Sequence, residues 1–532
     1  MLAGVKGTVE ATSQELPGAV ERITWSDVHG SRLSFDDAAQ RLKPLPLRAV
    51  VRALVDLNMR LARAPNRSEA SLQKKLLGTL LPGRSSLKEA VIGLLDGGNV
   101  HRGLFYEPAL LAALKLAILH CARKEGDLDD QAREELLSVM LIVDDNVPKT
   151  PDDPSSQDAM RDVILNAWAV LEDAWRKEMA RWDEMLLRIA KHPGLSYHLP
   201  AFEQLFQQAT GHGVSEFRKF GSVLLETFFP RVGSAAQICS RRPSDSRRGK
   251  LFDLFCATAD GFADQFRRCP SFASEPFYTL PFQQHPLLDV DGEVYCVSRK
   301  YLIQRFTSGV FHIVLTHLGP PPSEQSRAFL KFKGDLFHAY VGELLEKIKR
   351  IIHRLDAQTE PDGAGKKRSD FVVPEGDRAV VVECKSRLVP LRVKAGGDFA
   401  ALRCEYEEII FKAAEQLEST IGQITAGEIK GLDPNRIRRY YPVVCTLDYL
   451  PTDFTIYPNI EAELQERGLL QGAIIAPLQV LDVGSLERLV PYMLHGLVLS
   501  ELLEKKNSGG PLLRAESFWN YLFREGVLPA NP

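Results

Sequence analysis

Three things are missing from this chain: a long apolar run, an excess of one charge, and closely spaced cysteines. Each absence removes a class of protein. No apolar stretch approaches the roughly 18 residues that span a bilayer. The longest, around residues 108–121, is interrupted by Lys115 and reads as a buried helix. A net charge of −3 is not the footprint of a protein that coats nucleic acid regardless of sequence. The eight cysteines, at positions 121, 239, 256, 269, 296, 384, 404 and 445, never form Cys-x-x-Cys. That spacing argues against a zinc ribbon or a disulfide framework and fits a reducing, cytoplasmic setting. The opening residues do not have the shape of a secretory signal. Internal repeats, a phosphate-binding Gly-x-x-x-x-Gly-Lys-Ser/Thr loop, helicase and kinase signatures and a nucleophile elbow are absent as well.

What is present is ordinary globular material, 45% hydrophobic and 25% charged, over 532 residues. That length accommodates three or four domains at about 150 residues each. Residues 1–45 are mixed and turn-rich, a lead-in segment. Residues 46–270 are dominated by helical patterns and predict a helical domain. Within it Trp168, Trp175 and Trp182 recur every seven residues on one helix face, where packing against a neighbouring helix is the simpler reading than base stacking. Residues 271–325 form a mixed connector: prolines punctuate short apolar segments, Val290-Asp-Gly-Glu-Val294 predicts a hairpin turn, and residues 302–318 predict a helix. Gly319-Pro-Pro-Pro-Ser323 is the sharpest boundary in the chain. A core at 326–455 and a helical extension at 456–532 follow.

The core carries the chemistry. Phe371-Val-Val373 and Ala379-Val-Val-Val382 are strand-forming runs separated by Pro374-Glu-Gly-Asp377, which has the residues a turn demands. If the turn closes there, Val373 pairs with Arg378 and Asp370 falls opposite Val381. Alternation then puts Val381, Glu383 and Lys385 on one face, with Asp370 a diagonal neighbour of Glu383 at roughly 7–8 Å. Two carboxylates at that separation, with the backbone carbonyl of Cys384, suit a hard cation such as Mg²⁺. Lys385 can hold an attacking water or stabilise a pentavalent phosphorane. The plain alternative is a charged edge strand. Against it, Ala379–Val382 is apolar on both alternating sets, as a strand buried on both faces would be.

Asp370…Glu383-Cys-Lys385 resembles the active-site motif of the PD-(D/E)xK nucleases, the restriction-endonuclease-like superfamily, over roughly residues 326–450. In that fold a helix precedes the catalytic hairpin, and a second helix and a further strand follow it. Gly334–Leu345, with its stripe of Phe337, Val341, Leu344 and Leu345, predicts the first helix; 401–420 predicts the second and 441–447 the strand. The resemblance implies an α+β protein: a large, mostly helical N-terminal region, a core of a mixed central sheet flanked by helices, and a helical C-terminal extension. It further implies Asp370 and Glu383 as ligands of Mg²⁺ or Mn²⁺, Lys385 as the catalytic lysine, and Gln416 as a residue packed beside them. His338 stands where relatives with a Gly-x-x-Phe-Glu-x-Tyr-Val helix have a carboxylate; it could bind Mn²⁺, contact a phosphate or lie on the helix surface. A literal Pro361-Asp362 lies upstream in a loop-like stretch, and Asp370 is preferred to it.

Lys366, Lys367 and Arg368 abut Asp370, where a phosphate backbone would have to lie; Arg387 and Lys412 are further candidates for nucleic-acid contact. The basic groups Arg241, Arg242, Arg247, Arg248, Lys250 and Arg436, Arg438, Arg439 read as solvated surface. The expectation is therefore a cytoplasmic, metal-dependent endonuclease, with DNA favoured over RNA. Nucleases of anti-phage defence and restriction are the class it resembles, and the helical regions would serve recognition, regulation or self-association. Two rivals are a nuclease fold that has lost its chemistry and serves as a binding or scaffolding component, and an enzyme acting on free nucleotides or a modified base with the helical region as its sensor.

Overall fold

The computed structural model describes residues 21–64, 70–97, 102–146, 175–191, 199–230, 239–268, 277–319, 323–348, 352–355, 368–390, 393, 399–452, 456–515, 518 and 521–522. The chain divides into two units, Met1–Val147 and Pro148–Pro532. The division falls inside the 46–270 stretch that the sequence reads as one helical domain.

In the first unit the helix Glu107–His120 lies among the helices Phe35–Leu42, Leu47–Arg63 and Asp130–Asp145. Its apolar residues run all round the cylinder, and Leu110, Leu111, Leu114, Ala117 and Ile118 are all buried. Lys115 is buried with them, and burial brings its ammonium down to about 8. Strand β1 (Glu21–Arg22) pairs in parallel with β2 (Arg102–Gly103). No helix among the described residues is long and apolar enough to cross a membrane.

The second unit is mixed α and β. Its helices Trp175–Asp183, Leu199–Thr210 and Val214–Phe228 lead into a four-stranded sheet. That sheet consists of β3 (Cys239–Ser240), β4 (Cys256–Thr258), β5 (Leu287–Val290) and β6 (Glu293–Cys296), in the order β3-β6-β5-β4. Asp291 and Gly292 both take positive φ, 53° and 83°, so the Asp-Gly pair turns β5 into β6 as its sequence predicts. The helix expected at 302–318 is two helices, Arg299–Phe306 and Gly309–Leu318. Of the three periodic tryptophans, Trp168 lies outside the described residues. Trp182 is buried, its ring 5.4 Å from that of Phe311, so it is core.

The second sheet is the larger, with β7 (His353–Arg354), β8 (Phe371–Glu375), β9 (Arg378–Lys385), β10 (Arg439–Thr446) and β11 (Gln479–Asp482) in the order β11-β10-β9-β8-β7. The first three strands are antiparallel neighbours, whereas β10 and β11 run parallel to β9. The helix Glu324–Glu346 precedes the sheet, its first turn closed by Ser323, whose Oγ accepts from the Ser326 N–H at 3.1 Å. Between β9 and β10 the chain crosses over through Phe399–Tyr406, one wide turn at Glu407–Phe411, and the helix Lys412–Thr425. A crossover of this length is what a parallel pair requires.

The central strand is β9, and Ala379, Val380, Val381 and Val382 are all buried. Each valine so covered stabilises by roughly 1.5–3 kcal/mol relative to exposure. Ala379 and Val381 share a core with Leu417, Ile421 and Ile424 of the helix Lys412–Thr425. Two features differ from expectation. The hairpin pairs Val373 with Val380 and Glu375 with Arg378, so the turn is the two residues Gly376-Asp377, and Pro374 belongs to the strand. The register has therefore moved by two residues: the last pair at this end is Phe371 with Val382, and Asp370, just before the strand, donates its N–H to the Val382 carbonyl instead of falling opposite Val381. An even shift preserves every face assignment. Strand β11 was not foreseen; Gln479-Val-Leu-Asp482 is short, and β10 beside it supplies its pairing.

Candidate active site at the end of the central strand

The face of β9 that packs Ala379 and Val381 against the helix Lys412–Thr425 continues past the apolar core, and there it carries Glu383 and Lys385. The Lys385 Nζ donates to Glu383 Oε1 at 2.8 Å and to Gln416 Oε1 at 2.6 Å. Glu383 is 4% exposed. Asp370 enters from the start of β8, where its N–H donates to the Val382 carbonyl at 3.1 Å. Its Oδ2 accepts from the Cys384 N–H at 2.6 Å. The Cys384 contact that the structure shows at this site is thus through the amide. The Cys384 thiol is pushed far up, by burial first and then by the neighbouring Cys445.

Burial, and after it the Glu383 charge, raise the Asp370 carboxyl to about 7; His338, the Cys384 N–H and Lys385 oppose that rise. His338 is in the site, not on the bare helix surface. Its ring stacks on Phe371 at 4.5 Å and 9°, and Nε2 lies 3.7 Å from Asp370 Oδ1.

The helix Lys412–Thr425 fixes more of this region than Gln416. Thr420 Oγ1 accepts from the Ser369 N–H at 2.7 Å, and Gln423 Oε1 accepts from Arg368 Nε at 2.6 Å. Gln416, Thr420 and Gln423 fall at i, i+4 and i+7, one stripe of that helix. Thr420 and Gln423 were missed by sequence reasoning. Their signal was there, three polar residues at the spacing of an otherwise apolar face.

The nucleic-acid contact candidates are less uniform. Arg368 is held by Gln423, Arg387 forks the buried Glu405 with Nη2 to Oε1 at 3.0 Å, and Lys412 pairs with Glu408 at 2.6 Å. Lys366, Lys367 and the alternative Pro361-Asp362 lie outside the described residues.

Among the described residues, no three His, Cys, Asp or Glu side chains stand together closely enough to hold a metal ion. What exists is Asp370, its carboxyl raised by burial first and by the Glu383 charge second, with the His338 imidazole at its side. Carboxylate oxygens are the donors a hard divalent cation takes, and the Lys385 ammonium already sits on one of the two carboxylates. Compared with known proteins, the chain matches no family model, no curated protein and no solved structure.

Proposed function

We propose that this protein is a divalent-cation-dependent nuclease of the PD-(D/E)xK type, and that its centre is Asp370, Glu383 and Lys385. One observation carries the reading: Lys385 Nζ sits between Glu383 and Gln416, while Asp370, held by the Cys384 N–H beside them, has its carboxyl raised by burial first and by the Glu383 charge second. A buried carboxylate pair is costly to a fold and has to be offset by something positive. Asp370 and Glu383 would hold Mg²⁺ or Mn²⁺, with His338, its Nε2 3.7 Å from Asp370 Oδ1, a further donor. A cation there would neutralise phosphate charge and lower the pKa of a water. Lys385, steered by Gln416, would present its ammonium to the attacking water or to the charge that builds on phosphorus. Phe371 holds the His338 ring in plane, and Thr420 and Gln423 hold the backbone and side chain that lead into Asp370. DNA is the favoured substrate by resemblance to the superfamily, and defence or restriction is the favoured setting.

The test is incubation of the purified protein with plasmid DNA and with RNA in Mg²⁺, Mn²⁺ or EDTA, beside Lys385→Ala. Cleavage is expected with metal, abolished by EDTA, and reduced at least 100-fold by Lys385→Ala, on the scale of losing one transition-state donor (about 10²–10³). Cleavage that ignores both EDTA and Lys385→Ala would overturn the assignment. A protein that binds nucleic acid without cutting it under any metal would be a scaffold on this fold.

A further inference from the structure

Among the described residues of the second unit, the two buried arginines have carboxylates to face. Arg181 forks Glu487, and Arg218 Nη2 lies 2.6 Å from Asp183 Oδ1. Arg305 breaks the pattern. It lies near the end of the helix Arg299–Phe306, half-buried, and donates through Nε to the Leu254 carbonyl at 3.0 Å. Among the described residues no carboxylate pairs with it. A guanidinium carries five N–H donors in a planar fork, and one of them is used here. Burial alone lowers Arg305 to about 10, which leaves it charged at neutral pH.

Beside it the short helix Leu280–Gln284 packs on the helix Arg299–Phe306, and the Thr279 and Tyr301 hydroxyls bond at 2.8 Å across the contact. His285, the residue that ends that short helix, has a buried Nδ1 with no hydrogen-bond partner. Burial, and then the Arg305 charge, hold its imidazole down to about 4, so at pH 7 it is neutral and can offer an N–H without a second positive charge. Two residues earlier Gln283 is 7% exposed, and its Oε1 is likewise buried and unbonded. A half-buried cation without a counter-ion, beside the buried and unpartnered His285 Nδ1, is an arrangement that folding alone does not favour. An anion supplies what both lack. Arginine's fork matches the geometry of phosphate oxygens, and a neutral imidazole adds one directed donor.

We propose that Arg305 and His285 form a recognition site for a phosphate group, distinct from the carboxylates and lysine of the larger sheet. This site does not depend on the nuclease reading and would exist in a protein that cuts nothing.

The experiment is thermal unfolding and calorimetric titration of the full chain with inorganic phosphate, 5′-AMP and adenosine, against sodium chloride at equal ionic strength. Inorganic phosphate and 5′-AMP should raise Tm beyond the chloride control, and adenosine should not. Arg305→Met removes an uncompensated charge and keeps the bulk. It should raise the ligand-free Tm by about 2–4 °C and erase the phosphate response. His285→Phe, packed beside Phe262 as the imidazole is, should fold normally and weaken phosphate binding at least tenfold. The proposal falls if Arg305→Met lowers Tm or fails to fold, because Arg305 would then be a structural brace for Leu254. It falls equally if the phosphate response survives Arg305→Met, or if adenosine alone reproduces the 5′-AMP effect.

Discussion

Asp370 shows how one residue can be costly to the fold and useful to a site. Its carboxyl is raised from 3.8 to about 7 by burial and by Glu383. A carboxyl raised on folding favours the protonated form, so its contribution to stability is complete below about pH 4 and is lost as pH rises through about 7. In EDTA the protein should therefore lose stability between about pH 4 and pH 7 on account of this group, by a few kcal/mol at most. Asp370→Asn keeps an oxygen for the Cys384 N–H and cannot ionise. It should match the wild type near pH 4 and exceed it at pH 8 in urea unfolding. A variant weaker than wild type at pH 8 would mean that the charge is already compensated in the metal-free protein. The same residue marks what the sequence made legible. The Asp, Glu and Lys could be found by reading charges at the ends of valine strands. That His338 stacks on Phe371, and that Arg387 is spoken for by Glu405, could not, because both depend on contacts between elements that no local pattern encodes.

At the scale of the element, the hairpin explains why faces were easier to read than register. Alternation along Ala379–Lys385 fixes which side each residue faces, and nothing in it distinguishes a four-residue turn from a two-residue one. The turn is settled by Gly376, at φ +70°, followed by Asp377, a glycine-first arrangement that suits the right-handed twist of the strands. A Cβ at Gly376 would meet nothing within 4 Å, so the cost of Gly376→Ala is conformational alone. It should destabilise by about 1 kcal/mol in urea unfolding and leave the proposed Mg²⁺ binding unchanged, because the register is also pinned by the buried valines. A fall in Mg²⁺ titration heat for Gly376→Ala would show instead that the turn sets the spacing of the carboxylates proposed to bind the cation. The helix Lys412–Thr425 was readable in outline from its apolar residues, yet its polar stripe acquires meaning only once Ser369 and Lys385 are seen to end on it.

For the second unit as a whole, the link that matters joins residues 306 positions apart in sequence. Arg181, from the helical stretch, donates to Glu487 of the helix Val483–Leu494 through Nε at 2.5 Å and Nη2 at 2.8 Å. The Tyr340 hydroxyl donates to the same carboxylate at 2.6 Å, from the helix that carries His338 two residues earlier. The side chains of the ion pair are only 9% and 11% exposed. Such a pair is a poor source of net stability, because taking both charges out of water costs about what their attraction returns; its removal by halves is the damaging event. Glu487→Ala should cost about 3–5 kcal/mol, since it leaves the Arg181 guanidinium and the Tyr340 hydroxyl buried together without an acceptor. Arg181→Met combined with Glu487→Leu should recover most of that loss, and Tyr340→Phe added to the pair should recover the rest. Urea unfolding of the wild type and the three variants measures each step of loss and recovery. If the double variant is as unstable as Glu487→Ala, the ion pair itself holds the three helices together, and His338 owes its position beside Asp370 to a charge contact made far along the chain.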